Sequence, residues 1–171
     1  VIIGCMDPNP KVAGKGILKL KEAGCHVTQG VLEEQCIEIN KRFFTFQKKK
    51  RPYISLKWAQ TPAGYIAPIK KDEKKPVWIS NTYARQLVHQ QRTHEQGILI
   101  GTNTALLDNP CLTARQWAGI SPTRLVLDRN LKIPEDAKIF SNNATTIIIT
   151  QLKPKTPQKK AVVYETICFE K

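Results

Sequence analysis

Short runs of branched apolar residues, set between polar and helix-patterned stretches, restrict this chain's fold more than any other feature. Ile98-Leu99-Ile100, Arg124-Leu125-Val126-Leu127-Asp128 and Thr146-Ile147-Ile148-Ile149-Thr150 read as strands, and Ala161 to Tyr164 as another. Val1-Ile2-Ile3-Gly4 and Cys25 to Gln29 are shorter strands near the N-terminus. Between them, Lys15 to Ala23 reads as a helix, with Ile17, Leu18 and Leu20 apolar and Gly24 as its stop. A second helix is expected from Val31 to about Phe46, with Leu32, Cys36, Ile39 and Phe43 on one face. Glu33 and Glu34 suit its first turn, Lys41 and Arg42 its later ones. Strand, helix, strand, helix is the pattern of a parallel α/β layer.

Gln47 to Pro52 is charged and ends in proline, so residues 48–52 are expected to link a first unit, 1–47, to a second, 53–171. The second opens on Tyr53 to Ala59, read as a strand, then Pro62-Ala63-Gly64 as a turn and Tyr65 to Ala67 as a short extended piece. The KKDEKKP segment reads as an exposed loop. Ser80 is the expected N-cap of a helix from Asn81 to about His94, with Ala84, Leu87 and Val88 toward the core. After Ile98-Leu99-Ile100 the strand breaks at Gly101. Thr102 and Asn103 then cap a helical turn, Thr104 to Leu107, that Asp108-Asn109-Pro110 ends. A strand end running into a polar turn is a common ligand position in α/β proteins. It would gather Thr102, Thr104, Asp108 and Arg115, a set suited to a polar, anionic small molecule. The plainer alternative is a capped turn and a surface loop.

A formal net charge of +13 favours anionic partners. The charge lies in patches: Lys48, Lys49, Lys50 and Arg51; Lys70, Lys71, Lys74 and Lys75; Lys153, Lys155, Lys159 and Lys160. Such runs are usually solvated loops, and only Tyr53 borders them as a stacking aromatic. No apolar run approaches a membrane span, and Val1 to Gly4 is too short for a signal-peptide core. The first residue is not Met, so the natural start is expected upstream. Cys5, Cys25, Cys36, Cys111 and Cys168 are odd in number and form no Cys-x-x-Cys, which predicts free thiols and a cytoplasmic setting. His26, His89 and His94 make no metal-ligand pattern with them, so no metal site is expected. Neither Gly-x-Gly-x-x-Gly nor a Walker loop occurs.

Four pieces in register, DPNPKVAGKGILKLKEAG with VTQGVLEE, then RPYISLKWAQTPAGYIA, VWISNTYARQLVHQQR, and ILIGTNTALLDNPCLTAR with RLVLD, carry a resemblance. Together, from about Val1 to Thr150, they resemble the bifunctional RibD family of riboflavin-biosynthesis deaminase-reductases. The resemblance implies the end of a cytidine-deaminase-like α/β domain, then the N-terminal part of a dihydrofolate-reductase-like α/β domain. The family's deaminase half binds zinc through His-x-Glu and Pro-Cys motifs, absent here, so zinc is expected only in that missing core. The reductase half normally reaches a glycine-rich loop for the cofactor phosphates, and Lys171 comes before it. The chain alone is therefore expected to lack deaminase activity and to have weak or no reductase activity.

The reductase in this family uses NADPH to reduce the ribosyl group of 5-amino-6-(5-phosphoribosylamino)uracil to a ribityl group. The resemblance implies Arg92 and Arg115 on the substrate phosphate, Leu112 lining the substrate pocket, and Pro76 where relatives often have a substrate-facing serine. It implies Asp108 and Lys57 as the catalytic pair, Asp108 by the nicotinamide and Lys57 near the pyrimidine. Ala59, Trp78 and Thr104 would join Asp108 in touching the cofactor. Arg129 falls near the expected adenosine end, and Ser80 reads as a helix cap only. Thr61-Pro62-Ala63-Gly64 departs from the family's Ser-Leu-Asp-Gly, which removes an acceptor, and Pro76 cannot donate a hydrogen bond. Competing readings are a basic nucleic-acid-binding module, a reductase-like scaffold without activity, and a same-fold reductase of another pyrimidine or pteridine. Unpaired sheet edges also leave homodimers open.

Overall fold

The computed structural model describes residues 1–68, 76–154 and 160–169. Two compact units divide after Lys57. In the first, β1 (Ile2–Ile3) and β2 (Thr28–Gln29) pair in parallel, Ile2 opposite Thr28, across the crossover helix α1 (Lys15–Glu22). Gly24, at φ +79°, stops α1 with a left-handed turn that glycine adopts without a Cβ clash. The single helix expected over 31–46 is instead two, α2 (Glu33–Ile39) and α3 (Lys41–Lys49). Asn40 breaks it: its side-chain amide donates to the Cys36 carbonyl at 2.9 Å, competing with the backbone ladder. The expected apolar face does not hold either. Leu32, Ile39 and Phe43 are exposed, and the break rotates Phe44 into the unit instead. α3 runs to Lys49, two residues into the expected 48–52 linker. Lys41 and Arg42 lie over the Tyr53 ring, and Lys48 over Phe44.

The second unit holds α4 (Thr82–His94), β3 (Gly97–Gly101), α5 (Thr102–Asp108), β4 (Thr123–Leu127), a 3-10 turn (Lys138–Phe140), β5 (Thr146–Thr150) and β6 (Val162–Thr166). The four strands form one parallel sheet in the order β3-β4-β5-β6. Leu99, Leu125, Ile147 and Val163 share one register row. On the other face Val126 and Ile148 are fully buried, and Ala105, Leu112, Ile133, Ile139, Phe140 and Val162 pack with them. The core thus sits on one face of the sheet, under α5 and the turns that follow β4. The parallel α/β expectation holds in both units.

Three local expectations fail for identifiable reasons. Residues 53–59 are not a strand. Ile54, Leu56 and Trp58 are exposed, and no described strand pairs with them; an extended segment without a partner has no ladder to hold it. Ser80 is not the cap of α4. Asn81 is, its side chain accepting from the Ala84 amide at 2.9 Å, and the inward residue is His89 while Leu87 is exposed. α5 starts earlier than expected, at Thr102, with no side-chain cap, because the Thr102 hydroxyl is used elsewhere. The turn at Thr61–Gly64 forms as expected, with Gly64 at φ +83° donating to the Thr61 carbonyl. Most of KKDEKKP, with the second lysine patch, and Lys155 and Lys159 lie outside the described residues.

Candidate functional site

The site is built around α5, which joins the end of β3 to the buried segment Leu112–Ala114. At its start the Thr102 hydroxyl donates to the Leu127 carbonyl at 2.7 Å and lies 3.3 Å from Asp128 Oδ1. This ties the C-terminal ends of β3 and β4 together. Asp128 is buried and fixes the turn after β4 by accepting from the Ile133 amide (2.9 Å) and the Lys132 amide (3.0 Å). Beside this knot is an open groove of about 410 Å³, lined by Gly101, Thr102, Thr104, Leu127, Arg129 and Phe169 among others. Arg129 is steadied by the Gln151 side chain at 2.7 Å and lies over the Phe169 ring. Hydroxyls, backbone and one guanidinium at the C-terminal ends of parallel strands suit an extended anionic ligand.

A basic cluster forms farther along. Arg92, in the last turn of α4, donates from Nη1 to the Thr113 carbonyl at 2.8 Å, while its buried Nε has no partner. One helical turn earlier, His89 is buried (5% exposed) with Nδ1 unpartnered. Burial first, then the neighbouring Arg115 charge, holds the Arg92 guanidinium below its ordinary value, with Cys111 opposing. Burial, then Arg92 and Arg115, pushes the His89 imidazole down, with the Thr113 backbone opposing. Arg92, Arg115 and His89 are therefore close enough to feel one another, and the charges acting on His89 are both positive. Arg115 itself is exposed. Like charges collected with no carboxylate acting on them among the described residues suit an anion.

The segment beneath the cluster is anchored from both sides. Arg92 holds the Thr113 carbonyl, and fully buried Arg124 reaches the Cys111 carbonyl at 3.3 Å. Arg124 also donates to Ser141 Oγ at 3.2 Å, the Ser141 carbonyl at 2.6 Å and the Ala144 carbonyl. Ser121 Oγ accepts from the Ala114 amide at 3.1 Å.

The residues singled out from sequence fall into separate places. Thr102 and Thr104 line the groove, whereas Arg115 joins Arg92 at the basic cluster. Asp108 closes the seven-residue α5, roughly 9 Å along the axis from Thr102 at 1.5 Å per residue. These residues are thus strung along a helix, not gathered in one spot. Leu112 is a core residue, 5% exposed at φ +56°, and is not among the residues that line the groove. Trp78 is exposed, with the Arg85 guanidinium 4.5 Å from its ring centroid. Ala59 is half-buried, Pro76 is exposed, and Lys57 is an exposed residue at the end of the first unit. Ala63 sits in the Thr61–Gly64 turn. Sequence reasoning missed His89, Thr113, Asp128 and Arg124. The three-residue spacing of His89 and Arg92 on one helix was the signal available for the first.

The family described as RibD C-terminal domain matches residues 52–169. The chain belongs to that family. It is 39% identical over 161 residues to a riboflavin biosynthesis protein RibD of Aquifex aeolicus, covering 93% of this chain and 44% of the relative. It is 40% identical over 152 residues to the RibD of Synechocystis sp., covering 88% and 40%. A solved diaminohydroxyphosphoribosylaminopyrimidine deaminase/5-amino-6-(5-phosphoribosylamino)uracil reductase from Thermotoga maritima superposes with a TM-score of 0.84 at 37% identity, covering 96% of this chain and 46% of that one. Acinetobacter baumannii RibD superposes with a TM-score of 0.80 at 30% identity, covering 98% and 48%. The chain thus spans under half the length of these relatives.

Among the described residues no three His, Cys, Asp or Glu side chains come together as a metal site, so these residues do not fit zinc. None of the five cysteines is in a disulfide. No described helix is long and apolar enough to cross a membrane.

Proposed function

We propose that this chain is the reductase portion of a riboflavin-biosynthesis enzyme, reducing the ribosyl group of 5-amino-6-(5-phosphoribosylamino)uracil to the ribityl group with NADPH. The observation that supports the reading is the cluster of Arg92, held on the Thr113 carbonyl, with buried His89 one turn earlier and the Arg115 charge acting on both. Arg92 and Arg115 grip the substrate phosphate, since a guanidinium fork can meet two oxygens at once. NADPH, when bound, supplies the hydride. The groove at Thr102, Thr104 and Arg129 has the donors such a dinucleotide needs. Thr104 hydrogen-bonds the cofactor, and Asp108, four residues on along α5, lies beside the nicotinamide and the reacting carbon. Lys57 near the pyrimidine, Ala59 and Trp78 toward the cofactor, and Leu112 and Pro76 toward the substrate complete the proposed set. The first unit is the closing part of a deaminase domain whose zinc is held elsewhere on the parent, and the setting is cytoplasmic.

Calorimetric titration of the chain with ribose 5-phosphate and with NADPH, beside an Arg115→Ala variant, tests this. A lost charge-assisted contact is worth about 1.5–3 kcal/mol, so the variant should bind the phosphosugar roughly ten- to a hundredfold more weakly. NADPH affinity should stay within about twofold of the unmutated chain, since only one contact class is removed. Equal phosphosugar affinity in the two proteins, or no binding of either ligand, overturns the reading.

A further inference from the structure

The basic cluster contains one group that the phosphate grip does not yet use. His89 is buried on α4, one turn before Arg92, and its Nδ1 has no hydrogen-bond partner. A buried polar atom without a partner is costly, and such atoms in native proteins usually await a ligand or a water. Three sides of its surroundings are defined. Arg92 faces it from its own helix, and Arg115 and the Thr113 backbone face it from the segment after α5; Cys111 of that segment faces Arg92.

We infer that His89 is a third member of the phosphate pocket, a neutral imidazole in the free protein that takes up a proton when a phosphate monoester dianion docks against Arg92 and Arg115. The inference rests on the proposed phosphate role of this cluster. In the free protein a proton on Nδ1 would add a buried third cation beside Arg92 and Arg115. A dianion inverts that balance, and Nδ1, without a partner before, becomes an N–H that donates to a phosphate oxygen. The proton comes from solvent: an O–H bond of hydronium breaks as the Nδ1–H bond forms, and no bond between heavier atoms changes. His89 is then a binding residue whose charge appears only with its ligand. The pocket would thereby favour dianionic phosphate esters over monoanions of the same shape.

The test is a nuclear magnetic resonance titration of the imidazole signals of the intact chain, with and without ribose 5-phosphate, using ribose as the uncharged control. The chain has three histidines, and His89→Gln identifies the relevant signal. The His89 signal should titrate below its ordinary value in the free chain. It should move up by about one unit or more with ribose 5-phosphate and stay unchanged with ribose. By linkage, affinity above the raised value should fall about tenfold relative to that below the free value, beyond what the ligand's own ionisation causes, and His89→Gln should flatten that dependence. Should His89→Gln fail to fold, the unmutated titration decides, with the signal identified by its selective response to the phosphosugar. Phosphosugar binding that Arg115→Ala weakens, with the His89 signal unmoved, sinks this inference alone. No phosphosugar binding sinks it together with the proposed function.

Discussion

Replacing Asp128 with alanine tests how the groove is held. The carboxylate is 2% exposed and serves the Ile133 amide at 2.9 Å, the Lys132 amide at 3.0 Å and the Thr102 hydroxyl. Those three do not count equally. The Thr102 hydroxyl keeps the Leu127 carbonyl, and Lys132 is exposed, so its amide can find water. The Ile133 amide is buried and would be left without an acceptor, at about 1–3 kcal/mol. Adding a smaller loss at Lys132 gives about 2–4 kcal/mol for Asp128→Ala, a large part of the roughly 5–15 kcal/mol by which domains are stable. Asp128→Asn keeps one acceptor oxygen, which can turn to Ile133, so it should cost about half as much. Urea denaturation followed by circular dichroism reads both, with the denaturant slope unchanged. A loss under about 0.5 kcal/mol for alanine, or an asparagine variant no better than alanine, would show that the turn after β4 stands without the carboxylate.

Ile148→Ala removes a side chain that is 1% exposed at the centre of the sheet, and should cost about 2–5 kcal/mol in the same assay. Gly119→Ala should cost more than Gly24→Ala: its new Cβ would sit 2.7 Å from Thr93 Cγ2 at φ +140°, whereas Gly24 at φ +79° has nothing within 4 Å. Equal losses would refute that ordering. Stability should also fall on mild acidification. His89 titrates below its ordinary 6.5, so from that pH downward the unfolded chain binds a proton that the native chain refuses, until the native imidazole also protonates. Above 6.5 this group adds no slope, and His89→Gln should remove its share of the loss as pH falls below 6.5 in pH-resolved urea titrations.

The parallel layers were legible because they rest on local patterning. Thr146–Thr150 was read to the residue, and β3, β4 and β6 within one or two. What sequence hid depends on single side chains acting at a distance. Asn40 halves a helix whose apolar spacing alone looks continuous, through one bond back to Cys36. Asn81 outcompetes Ser80 for the cap because its carbonyl oxygen reaches the Ala84 amide. Tyr53 to Ala59 has strand-like composition, but strand formation needs a neighbour, which composition does not supply. For the site, Arg92 and Arg115 could be paired through the motifs around them. His89 and Asp128 could not, since one looks like an ordinary helix residue and the other like the end of a strand. Their importance arises from burial, which only the folded chain creates.

Arg124 carries a consequence for how this protein loses function. Its guanidinium is wholly enclosed and grips carbonyls on both sides, Cys111 beneath the basic cluster and Ser141 and Ala144 in the connection before β5. A rivet through two chain segments makes them yield together. Amide hydrogens of residues 111–114 should therefore exchange at rates set by opening of the whole sheet, unlike those of an ordinary surface loop. Heat or denaturant that spares the strands should leave the anion pocket in shape, and damage that unseats Arg124 should abolish both at once.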